Sequence, residues 1–162
     1  MSDFEERLRA AAARGASRAN QSMSEAERKK AEQEVLKGLH SKYRLALSER
    51  IENVIRKLID LFPGFRFQNV FGDAGWGAAC MRDDLIIKNG QRSNQYSRFE
   101  MAVRPINEFF ILDLQAKGTI ANRELLTRNF YQPLAEIDLD RFSELVEQWA
   151  LTYAELYTAN RS

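Results

Sequence analysis

The stretch Arg98-Phe99-Glu100-Met101-Ala102-Val103-Arg104 decides the fold class. Phe99, Met101 and Val103 alternate with Arg98, Glu100, Ala102 and Arg104, which is the period of a strand with one buried face. Phe65, Phe67 and Phe71 alternate in the same way with Arg66, Gln68 and Val70. Working outward, the period changes to that of a helix on both sides.

Upstream, Val35, Leu39, Tyr43, Leu47, Ile51, Val54, Ile55, Leu58, Ile59 and Phe62 recur every three or four residues, the stripe of a helix with one covered face. Ser24-Glu25-Ala26-Glu27 matches a capping box, and Pro63-Gly64 stops the chain. A helix is therefore expected over 24–62. That length is unusual for a globular helix, so either a break near Gly38 divides it or its first turns stand beyond the core. Residues 1–23 are rich in Ala, Arg, Ser and Asn, with Phe4 and Leu8 the only large apolar side chains before Met23. They have little to bury, so they either form a frayed helix or stay disordered, and are read as a flexible tail.

Downstream, Asn107-Glu108 reads as a tight turn into a strand from Phe109 to Ala116, and Ala121-Asn122-Arg123 as a turn into Glu124 to Tyr131. Trp76 to Lys88 reads as one bent strand or as two short ones around Arg82-Asp83-Asp84. Pro133 closes a sheet over 65–132. Asp138 caps a last helix over 138–159, whose stripe is Leu139, Phe142, Leu145, Val146, Trp149, Tyr153, Leu156 and Tyr157. Two amphipathic helices and a half-buried antiparallel meander of four or five strands satisfy one another as a two-layer α+β sandwich with both helices on one face. Residues 24–162 then form a single domain.

Composition narrows the function classes. The chain has 162 residues, 24 Lys and Arg against 23 Asp and Glu, one His and one Cys. A balanced charge gives no general attraction to nucleic acid or anionic membrane. A single cysteine, Cys80, forms no intrachain disulfide, and no cofactor or metal site is expected from one His and one Cys. The opening residues contain acids and no apolar stretch of the secretory kind, so a cytoplasmic location is the expectation.

Each chemistry-bearing residue also has an ordinary explanation. Phe71-Gly72-Asp73-Ala74-Gly75-Trp76-Gly77 lacks the Lys-Ser/Thr of a phosphate loop and reads as a strand connection with Trp76 at the sheet edge. His40 has no partner in sequence and reads as a helix boundary residue. Cys80 reads as a small buried hydrophobe, Asp83 and Asp84 as turn formers, and the Trp149, Tyr153, Tyr157 row as core. No catalytic residue is assigned, and no family signature is read from these residues.

Asp113 interrupts the most apolar strand. Alternation places Phe110, Leu112, Leu114 and Ala116 under the helices, and Arg66, Gln68, Arg98, Glu100, Ala102, Arg104, Phe109, Ile111, Asp113, Gln115 and Lys117 on the open face. That mixture fits a solvated face with snorkelling arginines; read as a functional surface, it points to a non-enzymatic protein-interaction or adaptor domain, self-associating as a homodimer through the open face or the first helix. Its candidate interface is Arg66, Arg98, Arg104, Phe109, Ile111 and Asp113, with apolar burial at Phe109 and Ile111 and arginines at the rim. The alternative is a weak single-strand nucleic-acid binder using Arg66, Arg98 and Arg104, with Glu100 and Asp113 opposing phosphate.

Overall fold

The computed structural model describes residues 3–160. The first two residues of the expected tail and the last two of the expected domain lie outside them. The elements run α1 (Asp3–Leu61), β1 (Arg66–Val70), β2 (Trp76–Lys88), β3 (Gln91–Val103), β4 (Ile111–Ile120), β5 (Arg123–Pro133) and α2 (Leu139–Asn160). The five strands form one antiparallel sheet in the order β1-β2-β3-β4-β5, and two helices pack on it to leave an open sheet. This is the α+β architecture that the change of period implies.

Contacts divide the chain into two units, Met1–Gly38 and Leu39–Ser162. In the first, the backbone is helical from Asp3 onward and every side chain from Asp3 to Glu32 is exposed. The helix thus starts at Asp3 rather than at the Ser24 capping box, whose residues lie inside it. Alanine-rich sequence has high helix propensity without any apolar face to bury, and a reading based on what can be buried passes over it.

In the second unit the core lies between the helices and one sheet face. Leu47, Ile51, Val54, Ile55 and Leu58 of α1 are buried, as are Phe142, Leu145, Val146, Trp149, Tyr153 and Tyr157 of α2. They cover Phe99, Met101, Val103, Leu112, Leu114 and Ala116. The Tyr153 ring stacks on Phe99 at 4.6 Å and 12°, and Phe142 meets Phe130 edge-on at 5.0 Å. From α1, the guanidinium of Arg44 lies 4.1 Å above Trp76 and that of Arg56 lies 4.0 Å above Phe67. These long side chains cover aromatic rings while their charge stays hydrated.

Three local readings are corrected. Asp83 and Asp84 do not form a turn: they pair with Tyr96 and Gln95 inside β2–β3, with Asp83 on Arg66 and Asp84 on Arg82. The turn lies at Asn89-Gly90, where φ is +53° and +74°, values that Asn and Gly accept at least cost. The strand read at residues 99–103 starts at Gln91, because residues 91–97 pair with β2 alone and carry little apolar alternation. Finally, β4 begins at Ile111, so Phe109 lies in the preceding turn. There Asn107 accepts from Phe109 N through its side chain (3.0 Å) and from Phe110 N through its carbonyl (3.2 Å), and Phe110 takes φ +50°.

The Ala121-Asn122 turn forms as read, with φ of +48° and +71°. Asn122 ties it to β3, accepting from Tyr96 N and donating to Asn94 O, each at 2.8 Å.

Candidate functional site

The strand register defines the open face. Arg66 stands opposite Met81 and Gln68 opposite Ala79. Met81 faces Arg98 and Ala79 faces Glu100. Glu100 faces Lys117, Ala102 faces Gln115, and Asp113 faces Tyr131. The residues that alternation assigned to this face from strands β1, β3 and β4 therefore share it. Ala79, Ala102 and Val70 form a small buried cluster there, where short side chains lie among the stems of long polar ones.

The arginines on this face are engaged within the molecule. Arg98 donates to Glu100 at 2.7 Å and to Gln68 at 2.6 Å. Arg66 pairs with Asp83 at 3.3 Å. Arg104 donates to the backbone carbonyls of Ala74 (3.1 Å) and Asp73 (3.5 Å) in the Gly72–Ala74 turn. Gly72 and Gly75 of that turn have φ of +88° and +108°, as a tight connection requires. A Cβ at Gly75 would meet the Val103 carbonyl.

Asp113 accepts a hydrogen bond from the Asn129 amide. Burial pushes its carboxyl above the ordinary aspartate value, opposed by that bond and by the charge of Arg104. Ile111 is half-buried and pairs with Pro133, whereas Phe109 is 72 % exposed and Tyr131 59 %. Tyr131 and Pro133 thus join Ile111 on one end of the open face, beside the outer edge of β5, which has no strand partner among the described residues. Alternation within β5 carries this signal, but only once its register against β4 is known.

A second surface escaped sequence reasoning. Between α1 and α2 runs a groove of about 320 Å³, with Val54, Leu58 and Ala150 among its lining and the exposed Leu61 and Leu151 on its sides. An ion pair between Arg50 and Glu147 lies at its rim. Leu151 lies off the covered stripe of α2, and an apolar residue out of phase was the available clue.

His40 is buried at 2 % exposure rather than at a boundary. Its Nε2 donates to the Arg104 carbonyl at 3.2 Å. Burial lowers its pKa, the backbone bond opposes this, and the charge of Arg44 adds to the lowering. The Cys80 thiol, buried among β-strands, is pushed up to about 12 by burial, which suppresses the reactive thiolate. Among the described residues no group of three or more His, Cys, Asp or Glu is placed to hold a metal ion, and no helix is long and apolar enough to cross a membrane.

A comparison with protein-family models finds no match, and comparisons with curated proteins and with solved structures find none either.

Proposed function

We propose that the chain is a non-enzymatic protein-interaction domain that self-associates through the β4–β5 end of its open sheet face, around Phe109, Ile111 and Tyr131. One contrast carries the reading. The arginines of that face already hold internal partners, while Phe109 and Tyr131 leave most of their surface in water. Apolar surface gains about 25 cal/mol per Å² on burial, so covering this end favours association.

A second copy is the occupant favoured by two features. The unpaired outer edge of β5 lies beside the patch, and two such edges meet antiparallel about a two-fold axis, which closes the assembly. The face also carries internally neutralised charge, so two copies approach without strong like-charge repulsion. The nucleic-acid reading draws less support, because a phosphate would have to displace Glu100 from Arg98 or Asp83 from Arg66.

Replacing Ile111 with Arg places a charge in the centre of this surface. Light scattering of the full chain should change from a dimer to a monomer while circular dichroism stays constant. A dimer retained in the variant, or a monomeric parent chain, would overturn the proposal.

A further inference from the structure

Past Arg98, β3 has no β4 residue opposite it, and past Met81, β2 has no β1 residue opposite it. The hairpin of residues 82–97 therefore continues as a two-stranded ribbon. Its helix-side row is set by alternation from Cys80 and Phe99, and contains Arg82, Asp84 and Ile86 on β2 with Ser97 and Gln95 on β3. Between this row, the end of β4 at Ile120 and the ring of Tyr157 lies a cleft of about 460 Å³, within the ordinary size of a small-molecule site.

Its polar groups are held in place but incompletely used. Tyr157 is 3 % exposed, and its ring is fixed edge-on against Phe62 and Phe65, both at 5.0 Å. The neighbouring Tyr153 hydroxyl donates to the Thr119 carbonyl at 3.0 Å. Among the described residues the Tyr157 hydroxyl has no such hydrogen-bond partner. Among the described residues every fully buried side-chain polar atom has one, so this hydroxyl opens to the cleft that Tyr157 lines. Buried tyrosines ordinarily find an acceptor or donor.

Arg82 is clamped by two bonds, Nε to Asp84 at 2.8 Å and Nη1 to the Pro63 carbonyl at 3.1 Å, and its Nη2 is left over. Ser97 stands directly opposite Arg82, which brings the two Cβ atoms to about 5 Å. Its Oγ accepts from Ala121 N at 3.1 Å, and its own proton remains to be donated. Three donors of fixed position therefore line one cleft, beside a carboxylate and the apolar side chains of Ile86 and Ile120.

We infer that this cleft binds a small zwitterion of the amino-acid class with an apolar side chain. The carboxylate is taken by Arg82 Nη2 with the hydroxyls of Ser97 and Tyr157, the ammonium by the free oxygen of Asp84, and the side chain by Ile86 and Ile120. Charge sets the class. Asp84 offsets Arg82, so the site as a whole favours a ligand that carries both signs and disfavours a polyanion such as phosphate. The preset guanidinium limits the ordering cost of binding.

The test is calorimetric titration of the full chain with L-leucine, with its amine lacking the carboxylate, with its acid lacking the amine, and with inorganic phosphate. Leucine should bind, and each truncated analogue should bind at least about tenfold more weakly. Tyr157→Phe should weaken leucine at least about tenfold, while its melting temperature does not fall, because the hydroxyl supports no protein bond. No heat with leucine at about 10 mM, phosphate binding as tightly as leucine, or unchanged affinity in Tyr157→Phe would each overturn the assignment. None of these outcomes depends on the state of association, which is read separately by light scattering.

Discussion

Gly118→Ala should destabilise the domain although it adds one methyl group to a strand and alanine ordinarily suits a strand better than glycine does. Gly118 lies in β4 opposite Phe99 and Leu126. A Cβ there would stand 2.8 Å from the Tyr153 ring and 3.0 Å from the Leu126 Cβ. Neither neighbour has room to give. Tyr153 and Leu126 are each 1 % exposed, and Tyr153 is pinned by its stack on Phe99 and by its hydroxyl bond to the Thr119 carbonyl. Overpacking of this kind costs roughly 1–3 kcal/mol, against which the lost backbone freedom of glycine returns about 0.5–1 kcal/mol. At the middle of both ranges a net loss of about 1 kcal/mol remains, and at roughly 4 °C per kcal/mol for a domain of this size the melting temperature should fall by about 4 °C. Urea unfolding followed by circular dichroism measures the same loss independently. A melting temperature that stays constant or rises would show that the Tyr153 stack is not rigid and would refute the packing argument.

Tyr153→Phe removes the bond to the Thr119 carbonyl and should cost about 1 kcal/mol in urea unfolding; no loss of stability would show that the bond contributes nothing. His40 has a folded pKa below its ordinary 6.5, so the unfolded chain takes up the proton first. The stability due to its neutral form is fully present above about pH 6.5 and falls as pH drops from there toward the lowered value. His40→Gln should flatten the change in stability between about pH 7.5 and 5.5, and an unaltered slope would show that another group is responsible. Cys80, with its thiol pushed from 9.0 to about 12, carries about a thousandfold less thiolate than an ordinary thiol. It should react with a disulfide reagent at pH 8 only when the chain is unfolded, and prompt labelling of the folded protein would contradict its burial.

Patterns of period and turn chemistry made much of the fold legible from residues alone. The 3.6 period of residues 35–62 and 139–157, the alternation at 98–104, and the positive-φ preference of Asn122 each act over a few neighbours and need no tertiary information. Burial of the Trp149, Tyr153 and Tyr157 row followed from the same helical period, and that of Cys80 from the usual behaviour of a free cysteine as a small hydrophobe. Local rules were weaker where residues have no buried face to betray them. The helix from Asp3 and residues 91–97 of β3 are polar on most sides, so hydrophobic pattern did not define them, whereas β2 follows the single-strand reading of Trp76 to Lys88; Asn89-Gly90 was the clue that went unread.

Apart from the pairs Arg98–Glu100 and Arg82–Asp84, two residues apart on one strand face, the use of the charges was decided by tertiary structure. Alternation placed Arg66, Arg98 and Arg104 on the open face, but their partners Asp83, Gln68 and the Ala74 carbonyl lie 17, 30 and 30 residues away. Sequence separation carries no information about which of the available acceptors lies within bonding distance. The same holds for the cleft at Tyr157, whose lining comes from β2, β3, the end of β4 and α2. The sequence by itself determined which faces are apolar, because that is a property of each segment. Which polar groups were left unpaired, and where they meet, was decided by how strands of unequal length stop short of one another, a property of the assembled sheet.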